Sequence, residues 1–276
     1  MKHRALLLTL ALCLLPALAA AADLDRPELA RLFAERGFVG CFAVKTGAEV
    51  LRVNPERAAT PFRPASTFKI VNALVALESG VAPNTEFALP WDGVVREVPA
   101  WNRDLTLEQA FRASAIWYFV ELGKRNGRER LGEAMRGLGY GNADASGSDQ
   151  FWIDGGLRIS ADGQVRVLDR LQRGETAFST RSVTLLRQMM LTDKGVGPDG
   201  AWALYAKTGM APHGSGAADA PVGWLVGWVE RGGRTFPFAL NITALPGEAK
   251  PMAKLAPARL ELARILLDRL GILPAK

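Results

Sequence analysis

Pro64-Ala65-Ser66-Thr67-Phe68-Lys69-Ile70-Val71-Asn72-Ala73-Leu74-Val75-Ala76-Leu77 is the stretch on which the reading of this chain turns. From Phe68 to Leu77 nearly every residue is apolar, which marks a helix buried on all sides, and Gly80 closes it after Ser79. Lys69 stands inside that run. Taking an ammonium out of water disfavours its charge, so this amine is expected to be neutral at a pH where a surface lysine is not. Ser66 lies three residues earlier, on the same helical face and within contact range. A neutral amine beside a hydroxyl is a nucleophile with its base. Alone, Ser-x-x-Lys is a weak signal whose plain reading is a helix N-cap with a solvated lysine, and a chain of this length holds about one such tetrad by chance. The apolar surroundings favour the chemical reading.

The flanks of this helix differ from the middle. Phe38 to Lys45 reads as a strand, Thr46-Gly47-Ala48 as a turn and Glu49 to Asn54 as the return. Near the other end, Val222 to Glu230 is a strand, Arg231 to Arg234 a turn and Thr235 to Ala244 its return. Pro257 to Leu270 has helical periodicity, with Leu262, Ile265 and Leu266 on one side and Pro257 in the first turn. Between these ends, helices are expected over Ser66 to Ser79, Glu129 to Leu138, Ala161 to Leu171 and Ser182 to Thr192, with one or two more in Leu105 to Asn126. The expected fold is α+β: an antiparallel sheet built from both chain ends and flanked by helices, with a helical lobe of about residues 66–200 inserted and a cleft between the two. Lys207-Thr208-Gly209 follows Trp202 to Ala206, read as an edge strand beside that cleft. Lys45-Thr46-Gly47 spells the same tripeptide in the first hairpin, where turn chemistry accounts for it.

Composition narrows the chemistry. The 276 residues are 49% hydrophobic and 22% charged, enough for a sizeable core and unlike a disordered or disulfide-stapled chain. The two His (His3, His213) and two Cys (Cys13, Cys41) exclude a His-rich zinc site, a four-cysteine cluster and an H-E-x-x-H protease. The 34 basic residues against 28 acidic ones are spread without a run of five like charges, which argues against a nucleic-acid partner. Lys2-His3-Arg4, the apolar run Ala5 to Leu18 and the small residues Ala17 to Ala22 read as a secretory signal peptide, 1–22. Its removal takes Lys2 and Arg4, so the net charge of +6 becomes +4, and it leaves residues 23–276 as a single unit. A periplasmic or secreted protein without stable membrane association is expected. Cys41 then has no intrachain partner, and its apolar neighbours make it an inert core thiol. His213 is the one remaining His, so Ser-Lys chemistry is the economical alternative to a His triad.

The order Ser66-Thr67-Phe68-Lys69, Ser114-Ala115-Ile116, Tyr140-Gly141-Asn142 and Lys207-Thr208-Gly209 resembles the penicillin-recognising serine enzymes. Within them it is most similar to the class D, oxacillinase-type β-lactamases, through Tyr140-Gly141-Asn142, Gly147-Ser148-Asp149-Gln150-Phe151-Trp152, Gly156-Leu157-Arg158-Ile159-Ser160, Trp101 to Leu107 and Gly223 to Glu230. The similarity runs from about Phe38 to Leu273. It implies a serine β-lactamase/transpeptidase-like fold and hydrolysis of penicillins through an acyl-enzyme on Ser66. By family resemblance, Lys69 is carboxylated by carbon dioxide and is the general base for acylation and deacylation, with no other cofactor and no metal. Trp152 donates its indole N–H to that carbamate. Ser114 relays a proton toward the leaving nitrogen and contacts Lys207. Lys207, Thr208 and Arg259 meet the substrate carboxylate, and the backbone N–H groups of Ser66 and Met210 form the oxyanion hole. Gly209, Trp101 and Ile116 complete the implied substrate site.

Two departures stand out. Ile116 replaces the family's usual Val, and its extra methylene is expected to press on the lysine pocket. Met210 stands where an aromatic is common and is expected to form an adaptable apolar wall with Trp101. Asn142 is expected to be a structural polar group near the cleft. Gly214-Ser215-Gly216 reads as a mobile loop shaping the substrate range. The same motifs also serve transpeptidases and β-lactam sensor domains, which acylate but deacylate slowly. A monomer or homodimer acting on a small-molecule β-lactam is the expected assembly.

Overall fold

Strands from both ends of the chain meet in one seven-stranded sheet. The computed structural model describes residues 23–212 and 220–274. The expected signal peptide, His213 and Gly214-Ser215-Gly216 therefore lie outside the described residues. In chain order the strands are β1 (Asp23–Asp25), β2 (Phe38–Thr46), β3 (Glu49–Val53), β4 (Ala88–Leu89), β5 (Leu105–Thr106), β6 (Leu191–Gly197), β7 (Gly200–Ala211), β8 (Val222–Arg231) and β9 (Arg234–Ala244). The sheet order is β1-β3-β2-β9-β8-β7-β6, and β4 pairs with β5 apart from it. All pairings are antiparallel except β1 with β3. The β8–β9 turn is Gly232-Gly233 with φ of 57° and 70°, a two-residue connection that matches the twist of its strands and needs residues tolerant of positive φ.

The helices are α1 (Arg31–Ala34), α2 (Pro55–Ala59), α3 (Lys69–Ser79), α4 (Leu107–Ala113), α5 (Ile116–Asn126), α6 (Arg128–Leu138), α7 (Ala161–Gln172), α8 (Thr180–Met190) and α9 (Pro251–Arg269). Every residue of α3 from Lys69 to Leu77 is buried, as its apolar run predicts, and Gly80 ends it with φ 77°. Side chains alternate across β8. Trp224, Val226 and Trp228 face the helical lobe, whereas Leu225 and Val229 face Leu255, Leu262, Leu266 and Leu267 of α9. Both faces are thus covered, and truncating a fully buried side chain such as Leu266 is expected to cost about 2–5 kcal/mol.

Three expectations are corrected. The last lobe helix, read to Thr192, stops at Met190, and β6 follows along the sheet edge. Trp202 to Tyr205 is therefore not at a sheet edge, because β6 pairs with β7 there, whereas that pairing stops short of Lys207-Thr208-Gly209. Leu191-Thr192-Asp193-Lys194-Gly195-Val196-Gly197 has little strand propensity, and backbone pairing with β7 decides its state. The last helix begins at Pro251, not Pro257. Pro251 holds the first-turn position, and Pro257 sits inside the helix on its exposed side, where water can take the carbonyl it frees.

Candidate active site

Ser66 sits in a tight 3-10 turn, Ala65–Phe68, at the entry to α3. Ala65 has φ of 49°, unusual for a residue with a Cβ, and this strain is held from several sides. Its N–H donates to Trp152 O at 2.9 Å, and the Thr67 hydroxyl donates to Pro64 O at 2.7 Å. Gln164 of α7 in turn donates to Thr67 Oγ1 at 2.9 Å.

Lys69 is fully buried, and its Nζ lies 2.6 Å from Ser66 Oγ. The Phe119 ring of α5 lies against the amine, with its centroid 5.4 Å away. Among the described residues no carboxylate pairs with Lys69. Burial holds its amine well below the ordinary lysine range, and the nearby charge of Lys207 adds to the effect.

On the other side of the turn, Phe68 stacks on Trp152 at 5.4 Å and meets Phe151 and Tyr140 edge-on at 5.1 and 5.9 Å. The loop that brings Trp152 here is clasped by Asn142, which donates to Gly156 O and accepts from Arg158 N, each at 2.9 Å. Asn142 thus has the structural role expected of it. Trp152 is buried, and its Nε1 finds no acceptor among the described residues.

Ser114 is not a helical residue. It caps α4 in the left-handed conformation, φ 56° and ψ 35°, one residue before Ala115 opens α5. Its Oγ accepts from Lys207 Nζ at 3.0 Å, and Lys207 also donates to Thr208 O at 3.1 Å and Thr208 Oγ1 at 3.4 Å. Burial, and then the charge of Arg259, bring the Lys207 amine down to about 7. Gly209 follows on β7. A Cβ there would stand 2.9 Å from both Pro64 O and Thr67 Cγ2, so the missing side chain lets β7 close on the Ser66 turn. Arg259 of α9 donates from Nη1 to Gly209 O at 2.9 Å, and burial lowers it to about 10. Its guanidinium has no ion-pair partner among the described residues.

A nucleophile, two desolvated lysines, a second hydroxyl and an arginine thus converge where the sheet meets the helical lobe. A profile of the penicillin binding protein transpeptidase domain matches residues 37–259. The β-lactamase OXA-48 of Klebsiella pneumoniae is 38% identical over 190 residues, 68% of this chain and 69% of that protein. A class D β-lactamase from Nostoc superposes with a TM-score of 0.78 at 35% identity, covering 89% of this chain and 99% of the other. The chain belongs to the class D β-lactamases. A regulatory protein, BlaR1 of Bacillus licheniformis, is also similar, 32% identical over 80% of this chain but only 35% of its own length.

Against this class D background, the expected wall of Met210 and Trp101 is not formed. Met210 packs with Ala206 on the α9 side of the sheet, while Trp101 packs against the core of the helical lobe, so they form no common wall. Strand alternation turns Met210 away from the face that carries Lys207 and Gly209. Ile116 lines a surface cavity of about 420 Å³ with Leu89, Pro90, Val120 and Gln150, and the Phe119 ring lies against the lysine. Cys41 is buried in β2, its thiol pushed up to about 12 by desolvation, as an inert core thiol should be. Sequence reasoning passed over Phe119 and Gln164. Their only signal was position on a helix face, which does not say what that face meets.

Proposed function

We propose that this class D protein hydrolyses penicillins of the oxacillin type through an acyl-enzyme on Ser66. The observation that carries the reading is the buried contact of 2.6 Å between Lys69 Nζ and Ser66 Oγ, in surroundings whose burial disfavours charge on the amine. Lys69 takes the hydroxyl proton as Ser66 Oγ bonds to the β-lactam carbonyl carbon. The N–H groups of Ser66 and Met210 receive the charge that develops on the carbonyl oxygen. As the ring C–N bond breaks, Ser114 passes its proton to the nitrogen and recovers one from Lys207, and the proton that Lys69 took from Ser66 then passes to Lys207, so that both amines are as they were before acylation. Thr208 and Arg259 hold the substrate carboxylate, for which the planar guanidinium has the right fork. Water then attacks the ester with Lys69 again as base, and Ser66 leaves with its proton restored.

The site also fits a lysine carboxylated by carbon dioxide. Only a neutral amine adds that gas, and the unmatched indole N–H of Trp152 is a donor suited to the new oxygens. Once formed, the carbamate supplies a carboxylate-type base at the position of the amine. Residues 1–22 are proposed to direct export and to be removed, leaving 23–276 as one catalytic unit outside the cytoplasm. Among the described residues no helix is long and apolar enough to cross a membrane.

The likeness to BlaR1 favours a second reading, a domain that is acylated once and does not turn over. Steady-state nitrocefin hydrolysis separates the two. Many turnovers per protein support the hydrolase, and a single stoichiometric burst supports the acylated sensor.

A further inference from the structure

Ser114 is held in a conformation that residues with a Cβ seldom adopt, and one tryptophan grips the chain on both sides of it. Trp101 Nε1 donates to Ala113 O at 2.8 Å. That carbonyl belongs to the last residue of α4, among the terminal carbonyls for which a helix has no partner of its own. The carbonyl of Trp101 accepts from Trp117 Nε1 at 2.9 Å, in the first turn of α5. Trp101 therefore bridges residues 113 and 117 across the Ser114-Ala115 elbow. The segment bearing it is itself braced by the residues that follow Trp101. Asn102 accepts from Arg96 N at 2.8 Å and donates to Arg96 O at 2.9 Å, and Asp104 accepts from Trp91 N at 2.8 Å.

We propose that Trp101 is a positioning residue, whose indole N–H locks the left-handed turn at Ser114 so that Ser114 Oγ stands at hydrogen-bond distance from Lys207 Nζ. It acts through Ser114, where the family resemblance assigns it contact with substrate alone. The proposal rests on the reading of Ser114 and Lys207 as the proton relay.

The test is the single-turnover acylation rate with a penicillin, measured for Trp101→Phe, Ser114→Ala and the double variant. This readout stands whether or not the protein deacylates, so a failure of the hydrolase reading does not obscure it. Trp101→Phe keeps an aromatic ring and loses the N–H. It should slow acylation by about tenfold, the effect of removing the partner of a half-buried carbonyl, with substrate affinity changed by less than about twofold. In the Ser114→Ala background the same change should have no further effect. The pH inflection set by Lys207 should also move down, because a displaced hydroxyl no longer supports the charged amine. Trp117→Phe, which removes the other bond of the bridge, should give the same pattern and covers the case in which Trp101→Phe fails to fold. Weakened affinity at an unchanged rate, or a loss that multiplies with that of Ser114→Ala, would overturn the proposal, as would full activity in both tryptophan variants.

Discussion

Replacing Lys207 by Met should change how stability depends on pH, and the size of the change follows from the burial of the amine. In the folded protein this amine titrates at about 7, whereas the free side chain titrates at 10.5. Between those values the unfolded chain binds a proton that the folded protein does not, so stability rises with pH across the window and falls as pH is lowered. Each pH unit is worth about 1.4 kcal/mol, and the whole window about 5 kcal/mol, all of it lost by pH 7. Lys207→Met removes this penalty along with three contacts, to Ser114 Oγ, Thr208 O and Thr208 Oγ1, worth about 1 kcal/mol each. Lys69 is present in both proteins, so its own titration cancels except for the part that the charge of Lys207 imposes on it. Urea unfolding of wild type and variant from pH 7 to pH 10 measures the difference. The variant should gain on the wild type by about 4 kcal/mol as pH falls from 10 to 7 while losing its catalytic activity. A difference that stays flat over this range would mean that Lys207 remains charged in the folded protein, and the account of a dry site would fail.

Four more outcomes are expected. Lys69→Ala should give a folded protein with essentially no penicillin turnover; wild-type rates from it would remove Lys69 as the base. Added bicarbonate should raise activity at acid pH, where carbamates decompose, and indifference to it there would count against carboxylation. Trp152→Phe keeps a ring against Phe68 but lacks the indole donor, so it should need more bicarbonate for half-maximal activity; an unchanged requirement would leave the indole without that role. Gly209→Ala places a Cβ 2.9 Å from Pro64 O, so it should push β7 from the Ser66 turn and lower kcat/KM by about tenfold or more, read from penicillin hydrolysis alongside an unchanged fold by circular dichroism.

Much of this site was legible because its signals are local. A lysine in an apolar run, three residues after a serine, is a statement about one helix, and burial of α3 follows from its composition. Lys207-Thr208-Gly209 was a weaker local signal, since Lys45-Thr46-Gly47 spells the same tripeptide in a turn, and the close approach that needs Gly209 is visible only in the structure. What failed to read through was context. Leu191–Gly197 has no strand pattern of its own, and only the hydrogen-bonding edge of β7 makes it one. Pro257 looked like a helix start because nothing in the sequence says that its carbonyl partner faces water. Met210 was placed beside Trp101 on likeness, whereas the period of the strand sends it to the other face of the sheet.

The amino-acid order alone determined that an amine and a hydroxyl would share a helical face in an apolar run, since spacing along a helix and transfer from water are properties of a segment. Only the tertiary structure decided that Lys207 would arrive from β7, Arg259 from α9 and the Trp152 indole from a distant loop, and that Ser114 would sit in a left-handed turn gripped by Trp101. Those meetings join residues up to about 190 positions apart, from Ser66 to Arg259, and they exist because strands from both chain ends share one sheet whose two faces are packed, one of them against the inserted lobe.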